Sequence, residues 1–488
     1  MTNHQPDDHE LLENQLQTNE ILLKKVFDLC DDVSYRWIQI GHSQQQGMLV
    51  FISNLVKKDL LDATILRELL SGMQGTDHYT IAKLQNRMVS ASDVRVVSTI
   101  TDVATDMLSG RAVLFVDQDN HALSMDVLGW EHRGVEKSEN EVSIRGSQQA
   151  FTENLMNNVA LVRRFIRDTR LKVENNIIGK VTKTPYVILY MQGIVDESIL
   201  QQVKNSLKTS EMDGVFDSGL LVEKLRNTVK TPFPIINRTE RPDRVASLLL
   251  EGRVIILVDN SPVALSMPAL LMEFLQAPED YYENFWLQSG IRLLRYVSLA
   301  MSLIVPSLYV ALVGYHHELI PASMMPSLMS QREGIPLPTM VEVLIMEIVF
   351  EILREAGLRL PRPIGQAVSI VGALVIGQAA VQAKLVMATT VIVVATTGIT
   401  SFTLSGVGIA SATRFLRFPL LLITGFLGLF GFTIGVFIIL IHLVSLRSFG
   451  VIYTDTLAPR TWRDLKDTLL RVPAKNKAHI PWRNQNTE

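Results

Sequence analysis

The chain has 488 residues, 47% of them hydrophobic, a formal net charge of −3 and a single cysteine. That length exceeds one ordinary domain, the charge gives no electrostatic footprint for nucleic acid, and none is expected as a partner. One cysteine, Cys30, excludes a disulfide framework within the chain and fits a reducing compartment. Charge is dense up to about Arg295, sparse to Arg447 and dense again in the tail, so the composition describes a soluble part followed by a membrane part.

The first residues, Met-Thr-Asn-His-Gln-Pro-Asp-Asp-His-Glu, carry no apolar run of the kind a cleaved signal peptide needs, so the N-terminal part is expected in the cytosol. Residues 1–21 read as a polar tail. From Leu22 the pattern becomes globular α/β. Leu49-Val-Phe-Ile-Ser is a buried strand, Leu60 to Met73 a helix, and Ala112 to Val116 a strand closed by a turn through Asp117-Gln-Asp-Asn120.

An internal repeat organises this half. Gly110-Arg-Ala-Val-Leu-Phe-Val-Asp-Gln-Asp-Asn-His-Ala-Leu-Ser-Met125 aligns without gaps on Gly252-Arg-Val-Ile-Ile-Leu-Val-Asp-Asn-Ser-Pro-Val-Ala-Leu-Ser-Met267, an offset of 142 residues. The spacing predicts two tandem α/β subdomains, 22–135 and 136–280. The matched glycine and aspartate suit turn geometry better than chemistry. Between the repeats, Ala150 to Asp168 is an amphipathic helix with Phe151, Leu155, Val159, Val162 and Phe165 or Ile166 inward. Its arginines, Arg163, Arg164, Arg167 and Arg170, are expected on a solvated face, with a subunit contact as the alternative.

A helical membrane bundle is expected over 290–447, before a basic tail at 448–488. Leu293 to Val313 is long enough to cross, with Arg295 snorkelling and a kink at Pro306. A proline-punctuated loop, Gly314 to Pro338, contains a short Met-rich helix. Then comes Val341-Glu-Val-Leu-Ile-Met-Glu-Ile-Val-Phe-Glu-Ile-Leu-Arg-Glu355, followed by three apolar segments, Ile364–Val386, Thr390–Ala412 and Leu420–Leu446. Their glycines and alanines suit close helix contacts in lipid. The basic tail favours an even number of crossings, four, with both termini inside; Arg354, Arg359 and Arg362 favour five.

Four carboxylates lie in the apolar stretch. Glu347, Glu351 and Glu355 are spaced i, i+4, i+8, a stripe about 80° wide on a helix, whereas Glu342 lies off it near the start. A charge at the bilayer centre costs roughly 2.5–3.5 kcal/mol on insertion scales, so such groups face protein or water. Two readings stay open. The stripe lines a cation pathway as rings of carboxylates in an oligomer, or it pairs with Arg354, Arg359 or His317 and fixes bundle geometry. His317, Pro321, Pro336 and Pro338 in the preceding loop are the gating candidates. No enzymatic signature is present: Gly179-Lys180 lacks the flanks of a phosphate loop and His316-His317-Glu318 the second histidine of a zinc-protease helix. No metal or cofactor is expected.

From Glu136 onward the chain resembles the A subunit of GerA-type nutrient germinant receptors of bacterial spores. The resemblance rests on Phe151-Thr-Glu-Asn, Thr239-Glu-Arg-Pro-Asp243, Leu250-Glu-Gly-Arg-Val-Ile-Ile-Leu-Val-Asp259, Glu279-Asp-Tyr-Tyr282, His317-Glu-Leu-Ile-Pro321, Arg332-Glu-Gly-Ile-Pro-Leu-Pro338 and Met346-Glu-Ile-Val-Phe-Glu-Ile-Leu-Arg-Glu-Ala-Gly357, then Pro361-Arg-Pro-Ile-Gly365 and Ile376-Gly-Gln-Ala-Ala-Val381. One departure is Arg145-Gly-Ser-Gln-Gln-Ala-Phe151, where the family more usually has Arg-Gly-Pro-Arg-Glu-Gly-Phe. The resemblance implies a multi-pass protein of the inner spore membrane acting with a transporter-like B subunit and a lipoprotein C subunit. It also implies a homo-oligomer in the lipid bilayer that passes monovalent cations when nutrient binds. The alternative is a non-conducting scaffold that assembles B and C and transmits their signal.

Overall fold

The computed structural model describes residues 10–41, 45–71, 78–87, 93–129, 141, 146–208, 212–226, 229–281, 283–360, 372, 375–404 and 406–455. The first part of the Ile364–Val386 segment, Arg362, and the basic tail from residue 456 lie outside them. The chain divides into two compact units, residues 1–228 with 236–268, and residues 229–235 with 269–488.

The first unit holds two antiparallel five-stranded sheets. One comprises β1 (Val33–Gln39), β2 (Gln46–Ile52), β3 (Val94–Val97), β4 (Arg111–Val116) and β5 (Ala122–Asp126), in the order β1-β2-β4-β5-β3. The other comprises β6 (Leu171–Ile178), β7 (Thr184–Met191), β8 (Asn237–Thr239), β9 (Val254–Val258) and β10 (Ala264–Met267), in the order β6-β7-β9-β10-β8. Substituting each strand of the first by its counterpart in the second gives the same order. The repeated sequence occupies β4–β5 and β9–β10, and its turn geometry recurs. Gly110 and Gly252 take φ of +88° and +82° just before the strands, and Gln118 and Asn260 take +68° and +63° just after them. Only glycine adopts the first conformation without strain.

The central strands read as continuous apolar runs because both sheet faces are covered. In the first sheet, Met48, Val50 and Ile52 pack with Ile100, Val103 and Met107 of one helix and with Leu16 and Leu23 of another. Leu49 and Phe51 face the opposite way, toward Leu61, Ile65 and Leu69. The N-terminal tail is shorter than its polarity suggests. Leu12 and Leu16 are buried and a helix runs over Leu16–Val26, because Leu12, Leu16 and Leu23 form a stripe that the sheet covers.

The helix between the repeats runs over Leu155–Phe165 with Asn154 as its N-cap. Leu155, Val159 and Val162 are buried, and so is Ile166 rather than Phe165. Arg163 corrects the expectation of a solvated face. It is 1% exposed and forks onto Asp32, Nε to Oδ2 at 2.9 Å and Nη2 to Oδ1 at 3.0 Å. Residues 29–31 lie alongside β6, where Asp31 N–H donates to the Val173 carbonyl and Val173 N–H to that of Leu29. The two subdomains are thus joined by backbone and by a buried ion pair. Burial raises the Cys30 thiol above its ordinary range even though Arg163 opposes it. The Asp32 partner holds Arg163 charged against desolvation.

In the second unit the main helices are Phe285–Gly314, Thr339–Arg359, Ala388–Phe402 and Val407–Ser445. Phe285–Gly314 and Gly408–Ser445 are, among the described residues, the two long and apolar enough to cross a membrane; Ala388–Phe402 is shorter. Three sequence expectations change. The first helix starts at Phe285 rather than Leu293, and Arg295 does not snorkel but binds Asp280 at 2.9 Å together with the Leu275 carbonyl. The Thr390–Ala412 segment breaks after Phe402 and a new helix starts at Val407.

The third change is a reversal inside the last helix. Gly428 has φ +62° and ψ −141°, and a Cβ placed at Gly435 would lie 2.5 Å from Leu420 Cδ1, fifteen positions away in the chain. An unbroken helix of that length would extend for roughly 58 Å. Instead Gly408 packs on Pro234 and His442 bonds Thr231 at 2.8 Å, so both ends return to one place. Val407–Ser445 is a helical hairpin with its tip at Gly428.

The ends of these helices define a direction. Tyr315, just past the first helix, packs on Gly428 and donates its hydroxyl to the Gly425 carbonyl; Met340 packs on Gly425; Glu342 reaches Met387. Here this end is called the loop end. The first helix and the first hairpin arm run toward it. Thr339–Arg359, Ala388–Phe402 and the second arm run away from it.

Candidate functional site: a charged ladder in the helical unit

The glutamate helix, Thr339–Arg359, starts after Pro338 and buries Val343, Met346, Glu342 and Glu347. Its knobs fit glycines on neighbours, Met340 on Gly425, Phe350 on Gly398 and Leu353 on Gly372, the close contact that small residues permit between helices in lipid.

Each of the four carboxylates has a partner inside this chain. Glu342, wholly buried, accepts from Met387 N–H at 3.0 Å and from the Thr390 hydroxyl at 3.3 Å, so it caps the start of Ala388–Phe402. An anion there is favoured by the free N–H groups and the helix dipole. The Thr390 hydroxyl also meets Tyr309 Oη at 3.2 Å.

Glu347 is equally buried and accepts from Arg417 Nη1 at 2.6 Å. Arg417, 1% exposed and on the first hairpin arm, also donates Nε to the Ser302 carbonyl at 2.9 Å. One turn along, Glu351 accepts from Arg354 Nε at 2.9 Å and stands 3.6 Å from Arg414 Nη1. Glu355 pairs with Arg359 at 2.8 Å and is half exposed.

The result is a ladder. Glu347 and Glu351 on one helix face Arg417 and Arg414 on an antiparallel one, in that order. It is not fully bonded. Glu347 Oε1, Glu351 Oε1, Arg414 Nη1 and Arg417 Nη2 are buried without a hydrogen-bond partner among the described residues. Two acceptors and two donors left so close together suit bridging water.

Of the two readings of the stripe, the structure brings the carboxylates to arginines. The sequence named Arg354 and Arg359, which are local partners. It missed Arg414 and Arg417, whose only signal was their isolation in an apolar segment. His317, Pro321, Pro336 and Pro338 are all exposed in the loop, and among the described residues none makes a hydrogen bond or ion pair with the four carboxylates. That loop is pinned instead by Arg332, bonded to the Thr339 hydroxyl at 2.8 Å, and by Gln331, which accepts from Thr389 N–H at 3.4 Å. Among the described residues no cluster of histidine, cysteine and carboxylate is suited to a metal.

Comparison with known proteins agrees over nearly the whole chain. The profile of the Bacillus/Clostridium GerA spore germination protein family matches residues 21–482. Spore germination protein KA of Bacillus subtilis is 39% identical over 95% of this chain and 85% of its own. The membrane protein YfkQ of the same organism is 40% identical over 91% of this chain and 86% of its own, and spore germination protein B1 is 35% identical over 97% and 98%. The crystal structure of the N-terminal domain of the A subunit of the Bacillus megaterium spore germinant receptor GerK3 is 30% identical, with TM-score 0.43, covering 54% of this chain and 99% of that one. With the sequence motifs and an almost full-length match in agreement, this chain is a member of the GerA spore germination protein family.

Proposed function

We propose that the chain is the A-type subunit of a nutrient-sensing germinant receptor in the inner spore membrane. It acts there with a transporter-like B subunit and a lipoprotein C subunit and starts germination as an oligomeric, ligand-gated cation channel. Kinship with the germination proteins KA and B1 supports the receptor role.

The observation that carries the membrane role is an inversion of polarity in the helical unit. Glu342, Glu347 and Arg417 are inside, whereas Ile345, Ile348, Ile352, Ile392, Phe430 and Phe437 are exposed. Water would favour the reverse; lipid favours this arrangement. The alternation of helix directions returns the chain to the end from which Phe285 set out, which favours both termini on one side of a multi-pass bundle.

For conduction, Glu342 and Glu347 are engaged within the chain. Glu351 and Glu355 also pair with arginines, but their side chains stay partly exposed, so they are the two open to a shared axis. Reconstitution of the purified chain in liposomes tests this. Cation flux is expected and should fall at least tenfold in Glu351→Gln with Glu355→Gln, while Glu342→Gln alters chain stability instead. A second reading, a non-conducting scaffold, is favoured by the closure of the two deepest carboxylates. Ion-tight liposomes from a correctly assembled A subunit, under conditions that activate the whole receptor, would establish it.

A further inference from the structure

The spacing of the carboxylates goes beyond what the ladder uses. Three of them, Glu347, Glu351 and Glu355, repeat every four residues, yet only two arginines face them across the hairpin arm, at positions 414 and 417. A move of the glutamate helix by four residues toward its own N-terminus places Glu351 where Glu347 stood and Glu355 where Glu351 stood. That step is about 6 Å of translation with about 40° of rotation. Arg417 then meets Glu351 and Arg414 meets Glu355, with the same separation along each helix as before. The opposite step puts Val343 against Arg417 and loses a pair.

We propose that the ladder is a two-register ratchet, in which the glutamate helix slides one step toward the loop end against the first hairpin arm while Arg414 and Arg417 exchange carboxylates. One-turn ratchets of one packed element past another are a known form of switching. Three features of the site suit the exchange. Each pair is incompletely bonded, leaving four orphaned polar atoms for water to bridge during it. Arg354 shares Glu351 with Arg414, so the second rung is already loose. Glu342 holds the present register by capping the Ala388–Phe402 helix and gives up that cap in the other, which makes the observed register the resting one.

The proposal stands apart from conduction, since register is read as a distance. Spin labels at Ile352→Cys on the glutamate helix and Phe426→Cys near the hairpin tip, both exposed positions, report the slide in nanodiscs by pulsed electron resonance. Cys30 is buried and common to all the chains. Two charge exchanges then separate the registers. Glu347→Arg with Arg417→Glu satisfies only the observed one, and should keep the wild-type distance. Glu351→Arg with Arg417→Glu sets like charges against each other in that register and pairs them in the shifted one, so the distance should shorten by up to about 6 Å. The proposal is overturned if the second chain keeps the wild-type distance, or is lost from the membrane while the first is retained. If both are lost, the wild-type distribution decides. A minor population shifted to shorter distance supports the ratchet, and a single distance overturns it.

Discussion

Arg163 and Arg417 are both about 1% exposed and both meet a buried carboxylate, but the two pairs are built differently. Arg163 forks onto both oxygens of Asp32, in a unit whose sheets are covered by apolar cores. Arg417 gives one nitrogen to Glu347, one to a carbonyl, and leaves a third without a partner, in a unit that also exposes large apolar side chains. A bidentate fork fixes one geometry. A single bond beside orphaned groups leaves alternatives open. The first pair joins two subdomains, and the second joins two helices that have another register within reach.

The comparison breaks most directly at Asp32. Asp32→Asn or Arg163→Met leaves the other group buried without its counter-charge, and each should cost about 3–5 kcal/mol. The loss should appear as faster hydrogen exchange along residues 29–33 and β6. Replacing both, Asp32→Leu with Arg163→Met, should recover most of it; a double variant as weak as the singles would show that the pair does more than compensate charge.

Glu347→Gln should cost less, about 1–3 kcal/mol, because one bond to Arg417 is weakened rather than a two-bonded fork, and Arg417 keeps the Ser302 carbonyl. Unfolding of the chain in mixed detergent micelles measures it, and a loss as large as that at Asp32 would erase the distinction between the pairs. Gly428→Ala tests the hairpin. Its φ of +62° with ψ of −141° suits glycine alone, so strain of about 1–3 kcal/mol is expected. It should show as lost protection of the Thr231–His442 contact from proteolysis or exchange.

The smallest effect lies in the first unit. Burial pushes the Asp217 carboxyl up, but hydrogen bonds from Ser261 Oγ and Gly219 N–H, both at 2.7 Å, and from Ser218 outweigh it and hold the group below its ordinary value. A depressed carboxyl contributes stability above its unfolded pKa, near ~4, and loses it as pH falls through the folded value. Asp217→Asn should therefore be less stable than wild type at pH 7 and equal to it once both carboxyl states are protonated. Solvent screening holds the difference to about 0.5 kcal/mol or less. Paired thermal melts against pH measure it.

The legible parts of the molecule were those encoded within a few residues. β2 and β4 stood out as apolar runs, the repeat as ungapped identity, and the capping of turns as Gly-Arg and Asp at matched positions. The carboxylate stripe followed from spacing alone. Arg163 was misread because an arginine beside Arg164 and Arg167 looks like a polar face, and nothing near it signals Asp32, 131 residues earlier. The Gly428 reversal was hidden because the stretch from Phe418 to Ile441 is apolar on both sides of it, Thr424 and Thr433 apart. Gly425, Gly428, Gly431 and Gly435 were its trace in the sequence.

By itself the sequence determined the family, the duplicated α/β half, and the placement of three carboxylates on one helical face, since identity and periodicity are properties of the chain. Only the tertiary structure decided what that face meets. Arg417 lies 70 residues beyond Glu347, and it reaches the carboxylate because a glycine-lined contact brings the two helices together. In so apolar a surrounding a charge is retained where an opposite one can be brought to it, and that pairing is set by packing.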